Sequence, residues 1–91
     1  MYGLLVKPNA DKIFRKLSRK DSKQLEIIHK KIFEIRQNPD GYKFLRAPLQ
    51  GFNRVHVDTH FVLVFRVLHE YQLVEIWTYE HHDDVYKGRW L

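Results

Sequence analysis

Three β-type runs stand close together in the second half of the chain, and the gaps between them constrain the fold most. Phe52 to Val57 alternates, with Phe52, Arg54 and His56 pointing one way and Asn53, Val55 and Val57 the other. Phe61 to Leu68 is nearly continuous in β-branched, aromatic and aliphatic residues, as a central strand would be. Gln72 to Tyr79 reads as a third strand. Residues 58–60 and 69–71 are all that separate these runs, with Asp58-Thr59 and His69-Glu70 as turns. A parallel crossover needs about a dozen residues, so the strands are expected to pair as antiparallel hairpins.

The first half has a different period. Tyr2 to Lys7 reads as a short strand ended by Pro8, and Asn9 and Asp11 are capping residues ahead of a helical pattern. Ile13, Phe14 and Leu17 share one face of that helix. Asp21 or Ser22 caps a second helix, where Leu25, Ile28, Ile32 and Ile35 recur at spacings of three and four. Asn38-Pro39-Asp40-Gly41 stops it, and His82 to Tyr86 suits one short helical turn. The order β-α-α-β-β-β predicts an α+β fold, an antiparallel sheet packed against an N-terminal helical hairpin. At 91 residues, a single domain over 1–91 is expected.

Charge is distributed unevenly along this frame. Residues 1–54 carry 13 Lys/Arg against 5 Asp/Glu, a local +8, whereas residues 55–91 carry 3 against 6, a local −3. A basic helical half suggests phosphate or an acidic protein as partner, or simply a solvated helix surface. The absence of cysteine excludes a disulfide framework, thiolate metal sites and cysteine nucleophiles. No apolar run approaches the roughly 18–20 residues of a membrane span, and Lys7 and Pro8 interrupt the N-terminus before a signal-peptide core forms. A cytoplasmic protein with no membrane partner is expected.

Three groups of residues bear chemistry. The first is the segment Arg46 to Arg54, in which a Pro-Leu-x-Gly turn leads into a strand, together with His56. The second is Arg66, a charge inside an otherwise apolar strand. Buried without a partner it would be costly, so it pairs with an acid such as Glu75, snorkels, or faces a cleft. The third is His81-His82-Asp83-Asp84-Val85-Tyr86. The His-His-Asp-Asp string resembles a metal-ligand set, but adjacent histidines on a strand point to opposite faces, so no metal site is expected. His60 either lines the same cleft as His56 or caps a turn, and His29 and His69 read as surface residues. Trp77 and Trp90 read as packing residues. Arginines neutralise a phosphate and a histidine moves a proton, so Arg54, His56, Arg66 and His82 on one sheet face would suit a metal-free ribonuclease.

Taken in order, Ala47-Pro-Leu-Gln-Gly-Phe-Asn-Arg-Val-His56, Phe61-Val-Leu-Val-Phe-Arg66 and His82-Asp-Asp-Val-Tyr86 resemble the RelE/ParE toxin superfamily. The resemblance covers nearly the whole chain and is nearest to the YoeB and YafQ branch of ribosome-dependent mRNA endoribonucleases. It implies a RelE-like fold and a toxin of a type II toxin–antitoxin system, needing no cofactor and no metal. It implies His82 as a general acid or base, His56 as a second one, Arg66 as a phosphate clamp and Tyr86 as an aromatic that orients a base. Arg46, before the Pro-Leu turn, takes an active-site position; Arg54, His60 and His81 are expected to contact substrate. The chain departs from the pattern at His60, where YafQ-like members carry an acid, and it lacks a clear counterpart of the YoeB-like glutamate base. His81 competes with His82 for the catalytic place. The implied partners are a cognate antitoxin, the ribosome and mRNA, with operator DNA reached only through the antitoxin complex. Two alternatives stay open: an inert module that binds antitoxin and operator DNA, and a ParE-like gyrase inhibitor.

Overall fold

A computed structural model describes the whole chain, Met1 to Leu91. β1 (Gly3–Val6) runs into α1 (Pro8–Lys20), which begins on a proline. Proline suits that first position because its φ is already helical and its missing N–H would have no partner there. The cap position therefore falls on Lys7, which makes no side-chain cap. Asn9 and Asp11, expected as caps, lie inside the helix. The Asn9 amide donates to Thr78 Oγ1 at 2.8 Å, and Asp11 pairs with Arg15 at 3.0 Å.

Asp21 makes the helical hairpin tight. Its backbone N–H closes α1 on the Leu17 carbonyl, and its side chain accepts the Gln24 N–H at 3.1 Å to open α2 (Ser22–Gln37). A cap of this kind is worth about 1 kcal/mol. Ile28, Ile32 and Ile35 are buried from α2, and Ala10 and Phe14 from α1.

The sheet has five strands in the order β1-β5-β4-β3-β2. They are β2 (Lys43–Phe44), β3 (Asn53–His56), β4 (Phe61–Leu68) and β5 (Leu73–His81), with β1 at one edge. The three hairpin-linked strands pair antiparallel as expected. The sheet as a whole is mixed, because β1 pairs with β5 in parallel. The helical hairpin supplies the long connection that a parallel pair requires. β2 was not foreseen; its two residues pair with Arg54 and Asn53. β5 also runs two residues further than the sequence reading placed it, and a bulge leaves Trp77 unpaired between Ile76 and Thr78.

Each sheet face has its own core. The helices cover Leu63, Phe65, Val74, Ile76 and Tyr79. The opposite face is covered by loop residues Leu45 and Leu49 and by C-terminal residues Val85 and Trp90, which pack on Val62 and Val64. Phe52 meets Trp77 and Trp90 edge-on, both with ring centroids 5.0 Å apart, and the Trp90 indole N–H donates to the Val85 carbonyl at 2.8 Å. Both tryptophans are packing residues, as their positions suggested. No helix is long and apolar enough to cross a membrane.

Candidate active site

The face away from the helices holds a cavity of about 480 Å³. Strand alternation supplies one wall. Val55 and Val57 pack towards the helices, so Arg54 and His56 face the cavity beside Val62. The Pro-Leu turn supplies the next wall. Leu49 N–H bonds to the Arg46 carbonyl and Leu45 N–H to that of Phe52, both at 2.9 Å, which closes the loop. Leu45 and Leu49 anchor it in the core and leave Arg46 at the cavity. The C-terminal segment closes the third side. Buried Val85 fixes a 3₁₀ turn, Val85–Lys87, and brings His82 and Tyr86 to the same space.

Tyr86 and Arg46 are coupled. The Arg46 backbone N–H donates to the Tyr86 hydroxyl at 3.0 Å, and the guanidinium lies over the Tyr86 ring, 4.7 Å from its centroid. That N–H bond lowers the phenol pKa below the usual tyrosine value; burial opposes it, and the Arg46 and Arg54 charges add to the lowering. Cations around a polarised phenol and two imidazoles are the groups that could hold a phosphate-bearing ligand.

Five of the eight residues singled out in the sequence thus meet here: Arg46, Arg54, His56, His82 and Tyr86. Arg66 does not. Its Nε and Nη2 lie 3.0 and 2.9 Å from Glu75 Oε1, its direct partner across the β4–β5 ladder. The guanidinium also sits over Phe52 and Trp77, at 5.8 and 5.3 Å. The acid-paired alternative is therefore the one found, and Arg66 is no part of the cavity wall.

His60 and His81 also lie outside the cavity lining. Their rings stack with centroids 5.8 Å apart, and His81 lies 4.5 Å from His82. The expectation that neighbouring histidines diverge fails because β5 ends at His81. His82 opens the following turn, so its ring reaches the cavity and also stays beside that of His81.

Phe44 and Thr59 line the cavity and were missed. Phe44 sits on β2, which has no periodic signal. Asp58 sits in the expected turn, and its Oδ1 accepts the N–H groups of His60 and Phe61, both at 2.8 Å. Burial alone would raise its pKa, but these bonds, the His60 charge and Gln24 lower it overall.

No family model matches the chain. A Methanocaldococcus jannaschii protein described as "Putative toxin RelE4" is 48% identical over 91 residues, which is 100% of this chain and 97% of the relative. Among solved structures, a YoeB/ParE toxin from Agrobacterium tumefaciens superposes with a TM-score of 0.79 at 19% identity, over 88% of this chain and 98% of that one. A chain of the intact E. coli RelBE toxin–antitoxin complex gives 0.74 at 22% identity, over 89% and 96%.

Proposed function

The chain belongs to the RelE/ParE toxin superfamily, and we propose that it is the toxin of a type II toxin–antitoxin pair that cleaves messenger RNA in the ribosomal decoding site. The observation that carries this reading is the cavity that gathers Arg46, Arg54, His56, His82 and Tyr86. Cleavage of RNA through its own 2′-OH needs a base, an acid and cations around one phosphate. One of His56 and His82 takes the 2′-OH proton as that oxygen attacks the adjacent phosphorus. The other gives a proton to the departing 5′-oxygen, so the products end in a 2′,3′-cyclic phosphate and a 5′-hydroxyl, and water then opens the cyclic ester to a 3′-phosphate. Arg46 and Arg54 offset the charge that builds on the phosphoryl oxygens, and Tyr86 orients a base. This chemistry uses side chains alone. Arg66 acts in this scheme as a positioning residue, holding β4 to β5 through Glu75.

The remaining surface fits the same reading. The basic helices would meet ribosomal RNA phosphates, making association strongly salt-dependent. An acidic or amphipathic antitoxin would cover the toxin, as a partner segment that folds on binding. An E. coli chain with this fold was solved in a toxin–antitoxin complex. A substrate on the ribosome places the protein in the cytoplasm.

Primer extension on a reporter mRNA, in a reconstituted translation system with and without ribosomes, tests the proposal. Discrete cuts only with ribosomes are expected, and His82→Ala should lower their rate by about 10²–10⁴-fold. Intact mRNA with inhibited DNA supercoiling would replace this reading with gyrase poisoning. Intact mRNA with tight antitoxin binding and no growth arrest would leave an inert binding module.

A further inference from the structure

We propose that His60, His81 and His82 form a binding site for a nitrogen-seeking divalent transition ion of the Cu²⁺, Zn²⁺ and Ni²⁺ group. Each of the three residues offers one ring nitrogen, and these atoms lie within 4.8 Å of one another. Nitrogens sharing an ion at about 2.1 Å sit about 3.4 Å apart in tetrahedral geometry. Side-chain torsions alone close that difference, because His60 and His82 are exposed and His81 is partly so.

The backbone beneath the cluster is fixed. His82 N–H bonds to the His60 carbonyl at 2.8 Å, and Phe61 is the ladder partner of His81. The Asp58 carboxylate ties down the His60 and Phe61 N–H groups at 2.8 Å. Three ligands on a rigid hairpin end lose little entropy when an ion arrives, which is what preorganisation contributes.

A carboxylate stands behind the rings. Asp83 Oδ1 lies 3.0 Å from His82 Nδ1, while His81 Nδ1 accepts the Asp83 backbone N–H at 3.2 Å. A carboxylate on one ring nitrogen orients the imidazole and makes the other nitrogen a better donor. Three imidazoles, with no thiolate in a chain that has no cysteine, select borderline ions over Mg²⁺ or Ca²⁺, which prefer oxygen. Within that group Cu²⁺ binds tightest by the Irving–Williams order. A three-residue set also leaves a position for water.

The site does not depend on the cleavage reading, and its test uses no RNA. The full chain is titrated with Zn²⁺ by calorimetry, and with Cu²⁺ while nitrogen superhyperfine structure is followed by electron paramagnetic resonance. One ion per chain and a three-nitrogen Cu²⁺ spectrum are expected. His60→Ala and His81→Ala should each weaken Zn²⁺ binding by about tenfold or more, and Asp83→Asn by about tenfold. His69→Ala, remote from the cluster, should leave the affinity unchanged. Circular dichroism of each variant verifies that it is folded. Affinity unmoved by His60→Ala and His81→Ala, or a single-nitrogen Cu²⁺ spectrum, would overturn the assignment.

Discussion

Arg66→Ala separates a residue that holds the fold from one that holds substrate. Glu75 is 6% exposed, and its Oε1 accepts from Arg66 Nε at 3.0 Å, from Arg66 Nη2 at 2.9 Å and from Trp77 Nε1 at 3.2 Å. Alanine removes the first two and leaves a nearly buried carboxylate with one indole donor. Breaking a fully buried ion pair costs about 3–5 kcal/mol, and losing an exposed one about 0–1. The Arg66 side chain is 38% exposed, so water screens part of the attraction. The expected loss lies between those limits, at about 2–3 kcal/mol, including the cation–π contacts to Phe52 and Trp77. For a domain of this size that lowers Tm by about 10–20 °C. Thermal melts and urea titrations followed by tryptophan fluorescence read it directly. Arg66→Met with Glu75→Leu should recover most of the loss, because an apolar pair carries no desolvation penalty. A variant Arg66→Ala that melts with the wild type yet no longer cuts mRNA would refute the reasoning and move Arg66 to the substrate.

The tyrosines should ionise apart in a spectrophotometric titration. Tyr86 ionises below the usual value near 10, and Tyr79 above it, chiefly because Tyr79 is buried. The signs for stability are opposite: Tyr86 stabilises the fold above its unfolded pKa and loses that effect as pH falls through its folded value, whereas Tyr79's contribution is full below its unfolded pKa and is lost as pH rises through its folded value. Tyr86→Phe should remove the early phase, and an unchanged curve would show that Arg46 does not polarise the phenol. Ile28→Ala empties a fully buried position under the sheet and should cost about 2–5 kcal/mol in urea denaturation, with no redistribution of cut sites on mRNA. Because His82 belongs to both the cavity and the three-histidine cluster, Zn²⁺ should slow cleavage in step with site occupancy, and EDTA should restore it; undiminished cleavage at full occupancy would separate the two sites.

The helical hairpin and the three-strand meander were legible because each is governed by local rules. The recurrence of Leu25, Ile28, Ile32 and Ile35 permits only a one-faced helix, and the short turns permit only antiparallel neighbours. β1 is different. Its own residues identify a strand, but its parallel place beside β5 is fixed by how the helices lie on the sheet, a long-range contact with no local signature. β2 exists only through its pairing with β3, since a two-residue strand cannot show a period. The misplaced caps have a local cause: Asn9 and Asp11 have capping side chains, but Pro8 starts the helix one residue before the first of them.

The identity of the cavity histidine turned on one residue of register. Val74 and Ile76 face the helices, and unbroken alternation from them would carry Thr78, Glu80 and residue 82 to that same face, leaving His81 for the cavity. The bulge at Trp77 reverses the parity. Tyr79 then joins Val74 and Ile76 in the helix-side core, and it is His82 that reaches the cavity. The sequence carries a trace of this, because the helix-side apolar residues of β5 fall at positions 74, 76 and 79, a step of two followed by a step of three. A regular strand cannot bury all three on one face. Trp77 itself keeps the alternation, on the far side of the sheet with Glu75, where it packs with Phe52 and Trp90. Deleting Trp77 would join Ile76, opposite Phe65, directly to Thr78, opposite Val64, in an unbroken ladder. His82 would then keep its place at the cavity, and the loss would fall on the packing of Trp77 with Phe52 and Trp90.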